Sequence, residues 1–172
     1  MNYATSLLTL AAVLSPLGAR ADDLPPPVKA MDCLVGTWKL AGTASAGGGK
    51  AKVDGTWSCK RTPSNFGVTC ALRLTGIPGL NSYEETDLFG WEPNTSTYHW
   101  FSVTNAGETH DHMAAMPKGD SLRFVHTGTS EGKPFKEVID MTFSKGSKEL
   151  TVRSETFVAG ASTSVLEVKG RK

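Results

Sequence analysis

The chain has 172 residues and a formal net charge of +1, with 18 Lys and Arg against 17 Asp and Glu. That length suits one domain. The balanced charge, with no polybasic run, gives no electrostatic case for a nucleic-acid partner or an anionic membrane surface.

The first apolar stretch, "ATSLLTLAAVLSPLG", is too short to span a bilayer, so no transmembrane segment is expected in the mature chain. It has the form of a secretory signal: an apolar run, a helix-breaking Ser15-Pro16, then Ala19-Arg20-Ala21 as an A-x-A cleavage pattern. Residues 1–21 are therefore expected to be removed, which implies a secreted or periplasmic protein starting near Asp22. Residues 22–30, "DDLPPPVKA", read as a stiff Pro-rich lead-in, because consecutive prolines favour the extended polyproline II form. An oxidising compartment makes the three cysteines disulfide candidates, with one left over.

Residues 31–172 read as all-β. Runs rich in Val, Thr, Phe, Tyr and Trp recur about every ten residues, with Gly, Pro, Asn and Asp between them. About ten strands with short connections predict a single antiparallel up-and-down barrel, which leaves no free sheet edge. "LTGIPGLNS" is a longer link with room for a turn of helix. In "FGVTCALRL", Phe66, Val68, Cys70, Leu72 and Leu74 share one face; in "PFKEVIDMTF", Glu137 shares a face with Phe135, Ile139, Met141 and Phe143.

The opening strand, "MDCLVGTWKLAG", carries Gly36-Thr37-Trp38. This G-x-W resembles the first-strand motif of the calycin, or lipocalin-like, superfamily. The spacing of the later runs resembles an uncharacterised bacterial group of exported lipocalin-like domains. The resemblance implies a short 3₁₀ turn before the strand, from Pro27 to Asp32. It also implies that Trp38 closes one barrel end beneath a basic residue near the C-terminus, Lys169 or Arg171, as a cation–π contact. Gly36, Trp38 and Arg171 are thus expected to be structural. The haem barrels of nitrobindin type begin similarly but ligate haem through a late-strand histidine. Here nothing after His126 can do so, which argues against haem.

Cys59 and Cys70 flank "TPSN". With Ser64-Asn65 as a two-residue loop, facing positions sum to 129, and the two cysteines lie opposite on apolar faces, predicting a disulfide. Cys33, the rival partner for Cys59, falls on the face opposite Trp38 and is left over; a nucleophilic role for it is the minor alternative.

The stretch "ETHDHMAAM" puts His110 and His112 on one face of a strand. A two- or four-residue turn at Asn105-Ala106 would add His99 and make an open-site triad for zinc or copper, with no other cofactor expected. A three-residue turn would instead set Ser102 against His110 and Trp100 against His112, and turn His99 away. The residues leave this choice open. His126 reads as a satisfied, half-buried histidine. Glu84, Glu85 and Asp87 read as a solvated edge. Glu137, on an apolar face, must be paired, hydrated or pH-shifted, and Arg153 or a bound ligand could meet it.

The functional expectation is an exported barrel that binds a small, largely apolar molecule. Trp57, Trp91, Trp100, Phe124 and Phe135 would form its apolar wall, and His110, His112 and Glu137 its polar anchors. The alternatives are a metal-dependent or acid–base enzyme using His99, His110 and His112, and a structural envelope protein with a filled barrel. No catalytic signature motif is present.

Overall fold

The computed structural model describes residues 24–116 and 119–172. The expected signal segment, residues 1–21, lies outside them. Ten antiparallel strands close into one barrel: β1 (Gly36–Ala46), β2 (Gly49–Arg61), β3 (Val68–Thr75), β4 (Tyr83–Glu92), β5 (Thr97–Thr104), β6 (Thr109–Ala115), β7 (Ser121–Ser130), β8 (Lys133–Ser144), β9 (Glu149–Val158) and β10 (Ala161–Arg171). Each strand pairs with its neighbours in sequence, and β1 pairs with β10 to complete the ring. The all-β, calycin-like reading is therefore correct in strand number, order and closure. The wall is thinnest between β6 and β7, where the ladder has a single pair, Met113 opposite Val125.

Alternation along the strands turns apolar side chains into the interior. Trp38, Val53, Phe89, Phe124, Ile139, Met141 and Leu150 are all buried. The link expected to carry a helical turn has none; residues 76–82 form a plain loop.

The Pro-rich lead-in is not extended along its length. Pro26–Ala30 form a short helix, α1, continued by a 3₁₀ turn, Met31–Cys33. Proline is tolerated in a first helical turn, where its missing N–H has no partner to lose. Val28, Met31 and Leu34 are buried, so this segment plugs one end of the barrel. Two barrel side chains pin it. Arg61 donates to the Val28 carbonyl (2.8 Å) and to Asp32 (2.7 Å), and the Tyr98 hydroxyl donates to the Pro27 carbonyl (2.9 Å).

Trp38 lies under the plug, fully buried, with its indole N–H donating to the Leu34 carbonyl at 2.9 Å. The cation over its ring is Lys172, 4.3 Å from the centroid, rather than Arg171 or Lys169. On β10, Arg171 is exposed and reaches Glu149 (3.6 Å). Strand alternation cannot turn it inward, whereas Lys172, past the strand end, folds over to the Cys33 carbonyl (3.0 Å). Gly36 makes room for it. Its φ of +127° suits glycine, and an added Cβ would press on the Lys172 side chain at 3.1 Å.

Cys59 and Cys70 face each other across β2 and β3 and form the disulfide. The register sum of 129 is correct, although the connection runs from Thr62 to Gly67 rather than through two residues. Phe66 is in that loop and half exposed, not on the buried face. Cys33 is free, and burial pushes its thiol up to about 11, so it stays protonated and unreactive near neutral pH. The bridge closes a loop with a sequence separation of 11. The Cys59→Ser/Cys70→Ser double variant is expected to lose about 2–3 kcal/mol of stability by denaturant titration. Non-reducing peptide mapping should recover Cys59–Cys70 and no Cys33 bridge.

Candidate functional site

The interior polar groups fall into two sets. The first is built around Asp87 on β4. Asp87 is 1% exposed and accepts the indole N–H of Trp57 (2.7 Å) on one oxygen and that of Trp100 (2.8 Å) on the other. Glu85, two residues earlier on the same face, is buried beside it and accepts the Tyr83 hydroxyl at 2.9 Å. The solvated-edge reading therefore fails for Glu85 and Asp87 and holds for Glu84, which is exposed and pairs with Arg73. Burial, then the neighbouring Asp87 charge and hydrogen bond, push Glu85 up to about 9. At neutral pH it is a neutral acid sharing its proton with Asp87. Burial also raises Asp87, against hydrogen bonds from Glu85, Trp100 and Trp57 that favour its charged form.

The second set is built around Glu137 on β8. Its Oε2 accepts from His112 Nε2 (2.8 Å) and is 3.4 Å from His110 Nδ1; its Oε1 accepts from the Ser154 hydroxyl (2.8 Å). Burial acts to raise the Glu137 pKa, but hydrogen bonds from His110 and His112, with the His112 charge and Ser154, outweigh it and hold the carboxylate ionised well below its usual range. His110 is raised, first by its hydrogen bond to Glu137 and against the effect of burial. Arg153, the other partner considered for Glu137, pairs instead with Glu155 and Glu167.

The β5–β6 register decides the histidines. Trp100 faces His112 and Ser102 faces His110, the arrangement of the three-residue turn. His110 and His112 point inward. His99 is on the opposite face, where its Nδ1–H donates to Asp111 at 3.0 Å. His99 therefore does not join His110 and His112; the group that meets them is Glu137. Among the described residues, His110, His112 and Glu137 offer ligand atoms within 4.8 Å of one another. His126 stacks on His110 with ring centroids 4.5 Å apart and donates Nδ1–H to the Asp111 carbonyl at 3.0 Å, a satisfied, half-buried histidine.

Above this layer is a cavity of about 330 Å³. Trp57, Trp100, Phe135, His110 and Glu137 line it, as expected, together with Tyr83, Glu85 and aliphatic residues such as Leu40, Leu74 and Val168. Two expected wall residues, Phe124 and Trp91, and one expected anchor, His112, are elsewhere. His112 is behind the wall, 1% exposed. Phe124 packs beneath, edge-on to Trp100 with centroids 5.5 Å apart. Trp91 packs against Tyr98 at 4.7 Å. The barrel is thus not filled. The signal for Glu85 and Asp87 was present in the chain: both share a face with Phe89, and buried tryptophans need acceptors for their N–H groups.

No protein-family model matches the chain, and no curated protein matches it. The crystal structure of Rv2717c from M. tuberculosis aligns with 14% identity over 87% of this chain and 99% of that one, with a TM-score of 0.62. A structure of EF1p2_mFAP2b bound to DFHBI aligns over 85% of this chain and 98% of that one, with 14% identity and a TM-score of 0.38. The likeness to Rv2717c shows a shared barrel fold.

The raised Glu85 pKa has a defined effect on stability. The group ionises near 4.5 in its ordinary state and near 9 in the fold, so between those values the folded chain holds a proton that the unfolded chain has lost. The stabilisation is complete below about 4.5 and is lost as pH rises towards about 9. The wild-type denaturation midpoint should fall across this window. In Glu85→Gln, whose amide keeps a donor towards Asp87 and cannot ionise, the midpoint should fall less steeply, the remaining slope coming from Asp87 and His110, which are also raised.

Proposed function

We propose that this chain is an exported β-barrel protein that binds a small, largely apolar molecule in its interior. The carrying observation is the cavity: aliphatic and aromatic over most of its wall, with polar groups confined to Tyr83, Glu85, His110, Glu137 and a few others. This is the usual make-up of a small-molecule site, in which apolar area supplies affinity and a few polar atoms set orientation. Export is supported by the Ala19-Arg20-Ala21 pattern and by the Cys59–Cys70 bridge, which persists in oxidising compartments. Among the described residues no helix is long and apolar enough to cross a membrane.

The lining narrows the ligand class. It includes Glu85, Glu108 and Glu137 but no lysine or arginine, so an anionic head group would meet carboxyls with only His110 to offset them. A neutral or cationic head group fits better. Trp57 and Trp100 add aromatic faces for a cation.

A second reading, acid–base turnover of the bound molecule, is favoured by one observation. Glu85 and Glu137 share the cavity wall, one held protonated and the other ionised, a division of roles seen in acid–base sites. Deuterium uptake from D₂O at the positions next to the carbonyl of 2-decanone would support it, and none would remove it.

Binding is tested with a neutral, environment-sensitive naphthalene dye, read by dye emission and by quenching of Trp57 and Trp100. Decanol and decylamine should displace the dye at lower concentration than decanoate. Ala44→Phe, which places a ring in the cavity from a buried lining position, should abolish dye binding while the far-UV spectrum stays unchanged. Dye binding unaltered by Ala44→Phe would remove the interior site.

A further inference from the structure

We propose that His110, His112 and Glu137 form a binding site for one divalent metal ion of the zinc class, set in the cavity wall. The inference does not depend on the identity of any apolar ligand.

Three observations support it. The first is spacing. Metal–ligand bonds of about 2.0–2.2 Å put neighbouring ligand atoms roughly 3 Å apart. Glu137 Oε2 is 2.8 Å from His112 Nε2 and 3.4 Å from His110 Nδ1, and all three residues offer ligand atoms within 4.8 Å. The donors already converge, with no change of strand register required. Two imidazole nitrogens and one carboxylate oxygen are the donor types that zinc, cobalt and copper accept.

The second is an unsatisfied atom. His112 is 1% exposed, and its Nδ1 has no hydrogen-bond partner. Burying a half-satisfied imidazole costs stability. In an apolar core position a Leu or Phe would pack without that cost. The orphaned nitrogen is not the ligand atom: Nε2, 2.8 Å from Glu137, is the nitrogen placed to meet an ion, and the cost at Nδ1 is carried for what Nε2 does.

The third is the surround. Ser154 donates to Glu137 Oε1 and leaves Oε2 to the histidines, which orients the carboxylate as outer hydrogen bonds do in metal sites. His110 stacks on His126 with centroids 4.5 Å apart and meets Phe135 at a tilt, 5.5 Å away, which restricts its ring. Because His110 and Glu137 line the cavity while His112 backs them, three protein ligands leave further coordination positions open towards the cavity. There a donor atom of a bound molecule, or water, can complete the shell.

The ion displaces the protons now shared among these groups, so binding weakens as pH falls. His99 and Asp111 form a separate, partly exposed pair on the outer face and serve as the control.

The test uses the protein without a histidine tag. Zn²⁺ is titrated by calorimetry, and Co²⁺ by its visible absorption, which reports ligand type and geometry. The expected result is one ion per chain and a Co²⁺ spectrum of low symmetry with nitrogen and oxygen donors. His110→Ala and Glu137→Gln should each weaken binding by roughly tenfold or more, and His112→Ala should do the same. His99→Ala should leave it unchanged. Since His112 is buried, each variant is checked by thermal melting; His110→Ala and Glu137→Gln, at partly exposed positions, decide the matter if His112→Ala fails to fold. Absence of stoichiometric binding by the wild type would overturn the site. So would binding that survives both His110→Ala and Glu137→Gln, or that is lost in His99→Ala. Displacement of the naphthalene dye from metal-free protein is read separately, so failure of the metal site and failure of apolar binding are distinguishable.

Discussion

The interior depends on one buried carboxylate. Asp87 accepts an indole N–H on each oxygen and so links β2, β4 and β5 through Trp57 and Trp100. A buried charge is stable only when hydrogen-bonded and compensated, and a buried indole N–H needs an acceptor. Each group removes the other's cost. With their N–H edges tied to Asp87, the two indoles are held in orientation, and their rings form a layer across the barrel. Phe89 stacks on Trp100 with centroids 4.9 Å apart and Phe124 packs on both. Below this layer are packed aromatic rings and, beside the plug, a smaller cavity of about 200 Å³ lined by Met31, Leu34, Phe89, Phe124 and Phe143. Above the layer is the larger cavity.

The second polar set uses the same physics to a different end. Glu137 is ionised because its hydrogen bonds outweigh burial, while Glu85, at comparable depth, is protonated because burial and a neighbouring carboxylate outweigh its hydrogen bonds. One wall therefore carries both a neutral acid and an anion. Apart from His110 it carries no cationic side chain among the described residues. A cavity with this polarity discriminates among head groups by charge as well as by shape, since like-charge contacts in a water-poor site are costly.

The two barrel ends differ because the chain treats them differently. One is sealed by the short helix and 3₁₀ turn, by Trp38, and by Lys172 returning over the ring. Arg61 and Tyr98 spend their polar atoms on the backbone of that plug. Among the described residues the other end has only loops, and Ala46, Ile77, Pro78 and Glu108 are part of the cavity lining there. Access is therefore polarised along the barrel axis.

The amino-acid sequence by itself determined the local patterns: ten alternating runs, the turns between them, the apolar faces, and the opposition of Cys59 and Cys70. These follow from a period of two and from short hairpins, which need only neighbouring residues. The position of Trp38 could also be read, because G-x-W begins the first strand. Which face of β6 points inward could not. One residue in the turn at Asn105–Gly107 moves every side chain across the wall, and the flanking residues are too evenly mixed to choose. The barrel decided it by pairing Trp100 with His112, and this turned His99 out and brought Glu137 in from β8. Glu85 and Asp87 were misread for a related reason. Carboxylates in a strand look solvated until their partners are known, and those partners, Trp57 and Trp100, come from other strands. Local alternation is a property of each segment, but the sign of a face and the cost of a buried charge belong to contacts that only closure of the barrel brings together.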